Sequence, residues 1–141
     1  MTMMTEKIDR MLRQSKVIAV VGMSNKPERA SYNIAAYLAR NGYRVLPVNP
    51  VLSRVPVGDS EVDCYPTLEA ANAVAAIDLV DVFRASDAVP EIVDEVIRLR
   101  IPFLWLQDGV MHDEAIARAE AAGIQCVQND CIFRQHAARA V

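Results

Sequence analysis

The sequence VIAVVGMSNKPER occupies residues 17–29. Its first five residues form a continuous apolar run that ends at Gly22. Apolarity that is continuous rather than alternating is typical of a strand buried on both faces, as in a parallel sheet. Beyond the polar turn, apolar residues recur at helical spacing up to a stop signal at Asn41-Gly42. These residues are Ile34, Ala35, Leu38 and Ala39. The stretch therefore predicts a strand, a tight turn and a helix.

The rest of the chain repeats this alternation. Further strands are predicted over residues 43–48, 77–83, 103–106 and 124–127. Pro47 costs a ladder hydrogen bond, which places the second strand near the sheet edge or breaks it there. The segment 50–63 holds two prolines and a glycine and is predicted to be a loop.

Helices are predicted between these strands from their start and stop signals. The candidate residues for capping them are Thr67, Ser86 or Asp87, His112 or Asp113, and Asp130. Pro90 falls in the first turn of its helix, where a missing N–H costs no intrahelical bond. About five strand–helix alternations predict an α/β protein, a Rossmann-like three-layer α/β/α sandwich with a mostly parallel five-stranded sheet.

The length of 141 residues suits a single domain, residues 1–141. Residues 1–16 are predicted to form an amphipathic helix that packs on this domain. Its apolar residues are Met4, Ile8, Met11 and Leu12.

Composition excludes several classes of function. A net charge of −3 argues against broad binding of nucleic acid or of an anionic membrane. We find no secretory signal and no apolar run of about 18 residues that could span a bilayer. Three cysteines, an odd number, predict reduced thiols and a cytoplasmic protein. The spacing of Cys126 and Cys131 resembles no common zinc pattern, so no metal site is predicted.

In a doubly wound sheet, ligands bind outside the carboxyl ends of the strands, where the strand order reverses. This rule selects four segments by position alone: Gly22 to Arg29, Asn49-Pro50, Phe83-Arg84 and Gln107 to Gly109. These segments are therefore the candidate site.

The first of these segments has the chemistry of an anion site. Gly22 permits a tight turn, and amides at the following helix start can point at an anion. Ser24 adds a hydroxyl donor, while Lys26 and Arg29 add positive charge. For this turn taken alone, a tight turn with solvated charges is an equal interpretation.

The other segments place further side chains on the same rim, which is the edge of the sheet formed by the carboxyl ends of the strands. Arg84 directly follows a strand and is expected to converge with Arg29 on the turn. Phe83 could shield an adenine or pantetheine surface, and Gln107 and Gly109 close the rim. Asp108 is expected to point away from a phosphate or to cap the next helix.

Better-known nucleotide sites fit poorly. The dinucleotide fingerprint needs further glycines where this chain has Ser24 and Pro27, and an acid where it has Asn49. The phosphate loop of nucleoside triphosphatases needs a glycine before Lys26. No catalytic residues are predicted, because His112 and His136 have no recognisable acid and nucleophile partners.

Five blocks of sequence, in this order and spacing, resemble the CoA-binding domain family typified by small YccU-like proteins. Those domains are similar to the CoA-binding part of succinyl-CoA synthetase α chains. The blocks are 20–32 (VVGMSNKPERASY), 48–50 (VNP), 82–84 (VFR), 104–109 (LWLQDG) and 129–132 (NDCI). The similarity runs from about Val17 to the end of the chain.

The resemblance implies a Rossmann-like fold that holds coenzyme A across the crevice. The residues implied in binding are Gly22, Met23, Ser24, Asn25, Lys26, Arg29, Asn49, Pro50, Phe83, Arg84, Gln107, Gly109 and Cys131. It also implies non-catalytic binding of CoA or an acyl-CoA, because the synthetases use a phosphorylated histidine and further domains that this chain does not match.

Other interpretations stay open. The chain could be a nucleotide-dependent enzyme, either related to acyl-CoA ligases or an NAD(P)-dependent reductase, or an interaction protein that has lost its ligand. Cys131 at a helix start could form a mixed disulfide with CoA, which would give a thiol-redox role. The competing interpretation is a buried structural cysteine. The sequence specifies no protein partner.

Overall fold

Strands and helices alternate along the chain in the computed structural model, which describes residues 2–139. The helices are α1 (Met3–Gln14), α2 (Ala30–Arg40), α3 (Leu68–Val74), α4 (Val89–Arg98), α5 (Asp113–Ala121) and α6 (Ile132–Ala137). The strands are β1 (Val17–Val21), β2 (Arg44–Val48), β3 (Arg54–Val57), β4 (Ser60–Asp63), β5 (Leu79–Val82), β6 (Phe103–Leu106) and β7 (Gln125–Val127).

The main sheet has five parallel strands in the order β2-β1-β5-β6-β7. Helices cover both faces, which confirms the predicted Rossmann-like α/β fold. The chain runs outward from β1 to β2, and later enters β5 on the other side of β1. The strand order therefore reverses between β1 and β5. Pro47 lies in β2 at the sheet edge, as its missing N–H led us to expect.

The apolar run of β1 supplies both layers of the core. Ile18 and Val20 pack on one face with residues of α1, α2 and α6. Ala19 and Val21 pack on the other face with residues of α3, α4 and α5. A strand buried on both faces needs apolar residues at every position, which explains the continuous run.

The prediction of a loop over residues 50–63 is wrong. Strands β3 and β4 form an antiparallel hairpin there, and Val55 and Val57 are buried against the α2 face of the core. Proline is uncommon within strands because it has no N–H to donate, so Pro56 argues against a strand in the sequence. In a two-stranded ribbon, however, each strand has an open edge where a missing N–H costs little. Gly58, at a φ of +63°, makes the turn.

Two of the predicted caps are confirmed. Thr67 Oγ1 accepts a hydrogen bond from the amide of Ala70 at the start of α3. His112 precedes α5, and its Nδ1 accepts from the amide of Ala115. Both side chains satisfy donors that the first helical turn leaves without a partner.

Two other capping predictions are wrong. Ser86 and Asp87 lie in a short 3₁₀ turn, and α4 begins after Ala88 without a side-chain cap. The hydroxyl of Ser86 instead accepts from the amide of Met111. Cys131, not Asp130, occupies the cap position of α6. The carboxylate of Asp130 accepts from the Cys131 amide, one residue short of a cap.

Helix α1 packs on the body and protects one edge of the sheet. Ile8, Met11 and Leu12 are buried, whereas Met4 is half exposed and does not belong to the inward stripe. Lys7 Nζ donates to the carbonyl of Cys126 in the edge strand β7. None of the helices in residues 2–139 is both long and apolar enough to cross a membrane.

Asp81 is a buried carboxyl group in the central strand β5. It is fully buried, and neither oxygen has a hydrogen-bond partner among the described residues. Its neighbours across the ladder are Val20 and Trp105. Burial raises the pKa of Asp81 well above its usual range, because a charge is costly in apolar surroundings.

We expect Asp81→Asn to remove a pH dependence of stability. Because the folded pKa is raised, the folded chain keeps a proton that the unfolded chain releases above about pH 4. Stability then falls as pH rises, by up to about 1.4 kcal/mol per pH unit. Urea unfolding at about pH 5 and about pH 8 measures this change.

The asparagine variant carries no titrating proton, so its stability should change less between the two pH values. The exposed Asp59→Asn serves as the control and should keep the dependence of the unmodified protein. Equal slopes for Asp81→Asn and the unmodified protein would contradict the assignment.

Candidate functional site

A cleft of about 500 Å³ opens at the carboxyl ends of the central strands. It lies at the reversal of strand order between β1 and β5, where α/β sheets bind ligands. Of the residues selected from sequence, it brings together Gly22, Met23, Ser24, Asn25, Lys26, Arg29, Asn49, Phe83, Arg84 and Gln107.

Gly22 allows the turn after β1 to approach the end of β5. Its φ is +87°, a left-handed conformation that favours glycine. A Cβ at this position would lie 2.6 Å from the carbonyl oxygen of Phe83 and 3.3 Å from Cδ of Arg84. The stem of Arg84 therefore packs directly over Gly22.

The first two amides of the turn are already used. Gly22 N and Met23 N both donate to the carbonyl of Val48, at 3.1 and 3.3 Å. The Ser24 hydroxyl accepts from the amide of Lys26 and so shapes the turn. The donors available to an anion are the first-turn amides of α2, which have no intrahelical acceptor. The neighbouring residues Ala30 and Ser31 line the cleft.

Three cationic side chains line the cleft: Lys26, Arg29 and Arg84. All three residues are exposed. None of them takes part in an ion pair within the part of the chain that the structure describes. Their charges are therefore not neutralised by carboxylates and can attract an anion.

Asn49 joins two loops of the site. Its Nδ2 donates to the carbonyl of Met23 at 2.8 Å, and its Oδ1 accepts from the amide of Val51 at 2.9 Å. The side chain thus holds the turn after β1 against the segment after β2. This segment contributes Val51 and Leu52 to the cleft wall.

A second cleft of about 360 Å³ continues from the first. The two share Gly22, Asn49 and Arg84, and Pro50 lies in the second rather than in the first. Apart from Arg84, the described residues of the second cleft include no cation. Its lining combines apolar residues such as Val48, Leu68 and Ile92 with two glutamates, Glu91 and Glu95. Burial raises the pKa of one of them, Glu95.

The far wall of the first cleft is held by the segment before α6. Gln107 is buried, and its Oε1 accepts from the amide of Ile132 at 3.0 Å. Gly109 is not a lining residue, and its amide donates to Oδ1 of Asn129 at 2.8 Å. Cys131 is buried and also lies outside the lining.

Asp108 is one of the residues that line the cleft, but it does not cap the next helix, whose cap residue is His112. Its carboxylate accepts two hydrogen bonds from Arg134, at 3.0 and 3.1 Å. These bonds lower the pKa of Asp108 below its usual value.

Sequence reasoning missed several lining residues: Ala30, Ser31, Val51, Leu52 and Val110. Ala30 and Ser31 could have been found, because the first turn of the helix after β1 faces the same crevice. Val51 and Leu52 carry no chemical signal in the sequence, and they follow Asn49, which is bonded to the turn after β1.

The histidines lie outside this cleft. His112 caps α5, and Nδ1 of His136 is hydrogen-bonded to the hydroxyl of Tyr37. No group of three or more His, Cys, Asp or Glu residues among those described could hold a metal ion.

Comparisons with known proteins agree with this architecture. The family model described as "CoA binding domain" matches residues 16–137. The uncharacterized protein YneT of Bacillus subtilis (strain 168) is 31% identical over 131 residues, which cover 93% of each chain.

Two solved structures are also similar. A hypothetical protein from Pyrococcus horikoshii OT3 has a TM-score of 0.87 and 34% identity, over 95% of this chain and 90% of that one. A protein from Thermus thermophilus (cell-free ID.343) has a TM-score of 0.85 and 32% identity, over 95% of this chain and 97% of that one. The family match spans most of the chain, and the chain belongs to the CoA-binding domain family.

Proposed function

We propose that this protein binds coenzyme A, or an acyl ester of it, in the cleft between β1 and β5 and performs no chemistry on it. The observation that carries the proposal is a set of three cations, Lys26, Arg29 and Arg84, which line one cleft and form no ion pair within residues 2–139. Coenzyme A is a polyphosphate with long uncharged parts, so it needs a cationic region joined to a less charged one.

The diphosphate would occupy the first cleft. Arg29 precedes α2 directly, so its guanidinium and the first-turn amides can act on the same phosphate. Arg84 approaches from the end of β5, because its stem packs over Gly22. Lys26 supplies a third positive charge within the turn. Cations from the ends of two strands would thus neutralise more of the diphosphate charge than the cations of one turn.

The second cleft would hold an uncharged end of the ligand. It meets the first at Gly22 and Arg84, and it offers apolar walls from Val48, Leu68 and Ile92. Its two glutamates repel phosphate but accept hydrogen bonds from N–H donors, such as those of an amide or of an amino group on a base. Together the clefts offer about 860 Å³, in the range of small-molecule sites.

We favour binding over catalysis and a nucleotide with CoA chemistry over a nicotinamide cofactor. Asn49 stands where a ribose-binding acid would, and both ends of its amide are already engaged. The buried free thiols of Cys64, Cys126 and Cys131 are consistent with the cytoplasmic location that we propose.

Arg29→Gln and Arg84→Gln should each weaken CoA binding by about 10- to 100-fold, because a charge-assisted hydrogen bond contributes about 1.5–3 kcal/mol. Isothermal titration calorimetry with CoA measures the loss. Arg40→Gln, at the other end of α2 and outside the cleft, is the matched control and should bind like the unmodified protein. A protein that bound CoA equally well without Arg29 and Arg84 would exclude this site.

We also propose a thiol-redox role for Cys131 at the cap position of α6. In this step the Cys131 thiolate attacks CoA disulfide, a protein–CoA disulfide forms, and one CoA thiolate leaves. Because Cys131 is buried outside the cleft lining, the start of α6 has to open for the attack.

After incubation with CoA disulfide, peptide mass spectrometry should find the CoA adduct on Cys131. Burial raises the pKa of Cys126 to about 12 and also raises that of Cys64, which disfavours their thiolates. Absence of an adduct, or one equally common at Cys64, would leave Cys131 as a structural cysteine.

A further inference from the structure

One acidic residue is part of the wall of the cationic cleft. Among the described residues that line the cleft, Asp108 is the one acidic side chain, and it shares the lining with Lys26, Arg29 and Arg84. Asp108 is exposed, so it keeps its charge at neutral pH and would repel a phosphate. The repulsion has to be cancelled if the cleft is to hold a polyanion.

Arg134 of α6 supplies the opposite charge. Its two terminal nitrogens donate to the two oxygens of Asp108, at 3.1 and 3.0 Å, in a bidentate pair. One of them also donates to Asp130, at 2.9 Å. Arg134 itself is absent from the cleft lining. The pairing lowers the pKa of Asp108 and raises that of Arg134, so both groups stay charged.

The backbone holds the two partners in this geometry. The indole Nε1 of Trp105, in β6, donates to the carbonyl of Asp130, at 2.9 Å. Gln107 accepts from the first amide of α6, and Asn129 accepts from the amide of Gly109. The segment 129–132 therefore fixes α6 against the wall segment 107–110. These bonds hold the two stretches together in space although they are distant in the chain.

We propose that Arg134 is a specificity-determining residue that acts from outside the cleft. By neutralising Asp108 it lets the cleft accept a polyphosphate, although it does not contact the ligand. The inference rests on the proposed binding of CoA in this cleft. An indirect role of Arg134 can be told apart from a direct contact with phosphate. If the role is indirect, binding no longer depends on Arg134 once residue 108 carries no charge.

The test compares Arg134→Gln, Asp108→Asn and the double variant by calorimetry, with CoA and with inorganic pyrophosphate as probes. Arg134→Gln should bind each probe about five- to tenfold more weakly at low salt, because the Asp108 carboxylate would then lie near the anion without a cationic partner. The double variant should recover the affinity of the unmodified protein. Loss of affinity in the double variant as large as in Arg134→Gln would overturn the proposal in favour of direct contact or of a collapsed wall.

Further measurements separate charge from structure. Arg134→Lys keeps the charge but loses the bidentate geometry, and it should bind within about twofold of the unmodified protein. The deficit of Arg134→Gln should shrink at about 0.5 M salt, where exposed charges are screened. The proposal would be overturned if Arg134→Lys bound as weakly as Arg134→Gln and the lost affinity did not return at high salt.

Arg118→Gln is the control for net charge, because it removes an exposed ion pair with Asp94 outside the cleft. If this variant lost as much affinity as Arg134→Gln, the proposal would also be overturned. If the unmodified protein bound pyrophosphate but not CoA, the proposed function would fail, while the pyrophosphate series would still decide the role of Arg134. If it bound neither probe, both proposals would fail.

Discussion

The close approach of two strand ends at Gly22 is the constraint on which the site depends. The turn after β1 passes so near the carbonyl of Phe83 that no Cβ fits between them. The carbonyl of Val48, at the end of β2, accepts from both of the first two amides of the turn. Three neighbouring parallel strands are thus joined at their carboxyl ends. This arrangement brings the start of α2 and the stem of Arg84 to one cleft.

The distribution of charge follows from this geometry. The chain carries a net charge of −3, yet the cleft is lined by three cations that have no carboxylate partner in the described part of the chain. Outside the cleft, the exposed Arg54, Arg98 and Arg118 pair with acids. Other exposed arginines, such as Arg40 and Arg100, form no ion pair among the described residues. Asp108, the one acid among the described residues that line the cleft, is paired from outside by Arg134. A weakly acidic protein can therefore present a local positive potential to a small anion, without general affinity for nucleic acid.

Much of this could be predicted from the sequence, because the deciding signals are local. The continuous apolar run of β1, the glycine after it and the helical spacing of α2 lie within 26 consecutive residues. The rule for parallel sheets then identifies the cleft from the strand ends alone. The hairpin over β3 and β4 was missed because two prolines, a glycine and mixed charges within residues 50–63 are typical of a loop. The role of Arg134 depends on a contact across 26 residues, and no local pattern reports such a pairing.

The binding of coenzyme A that we propose for this cleft can be tested on the intact protein. The most direct measurement is native mass spectrometry of protein purified without added ligand and then mixed with CoA. We predict that the purified protein retains a ligand with the mass of CoA or of an acyl-CoA. If it is purified without a ligand, we predict that each chain takes up one CoA on mixing. The ligand should be lost in the Arg29→Gln/Arg84→Gln double variant. A spectrum of the bare chain before and after addition of CoA would contradict the account.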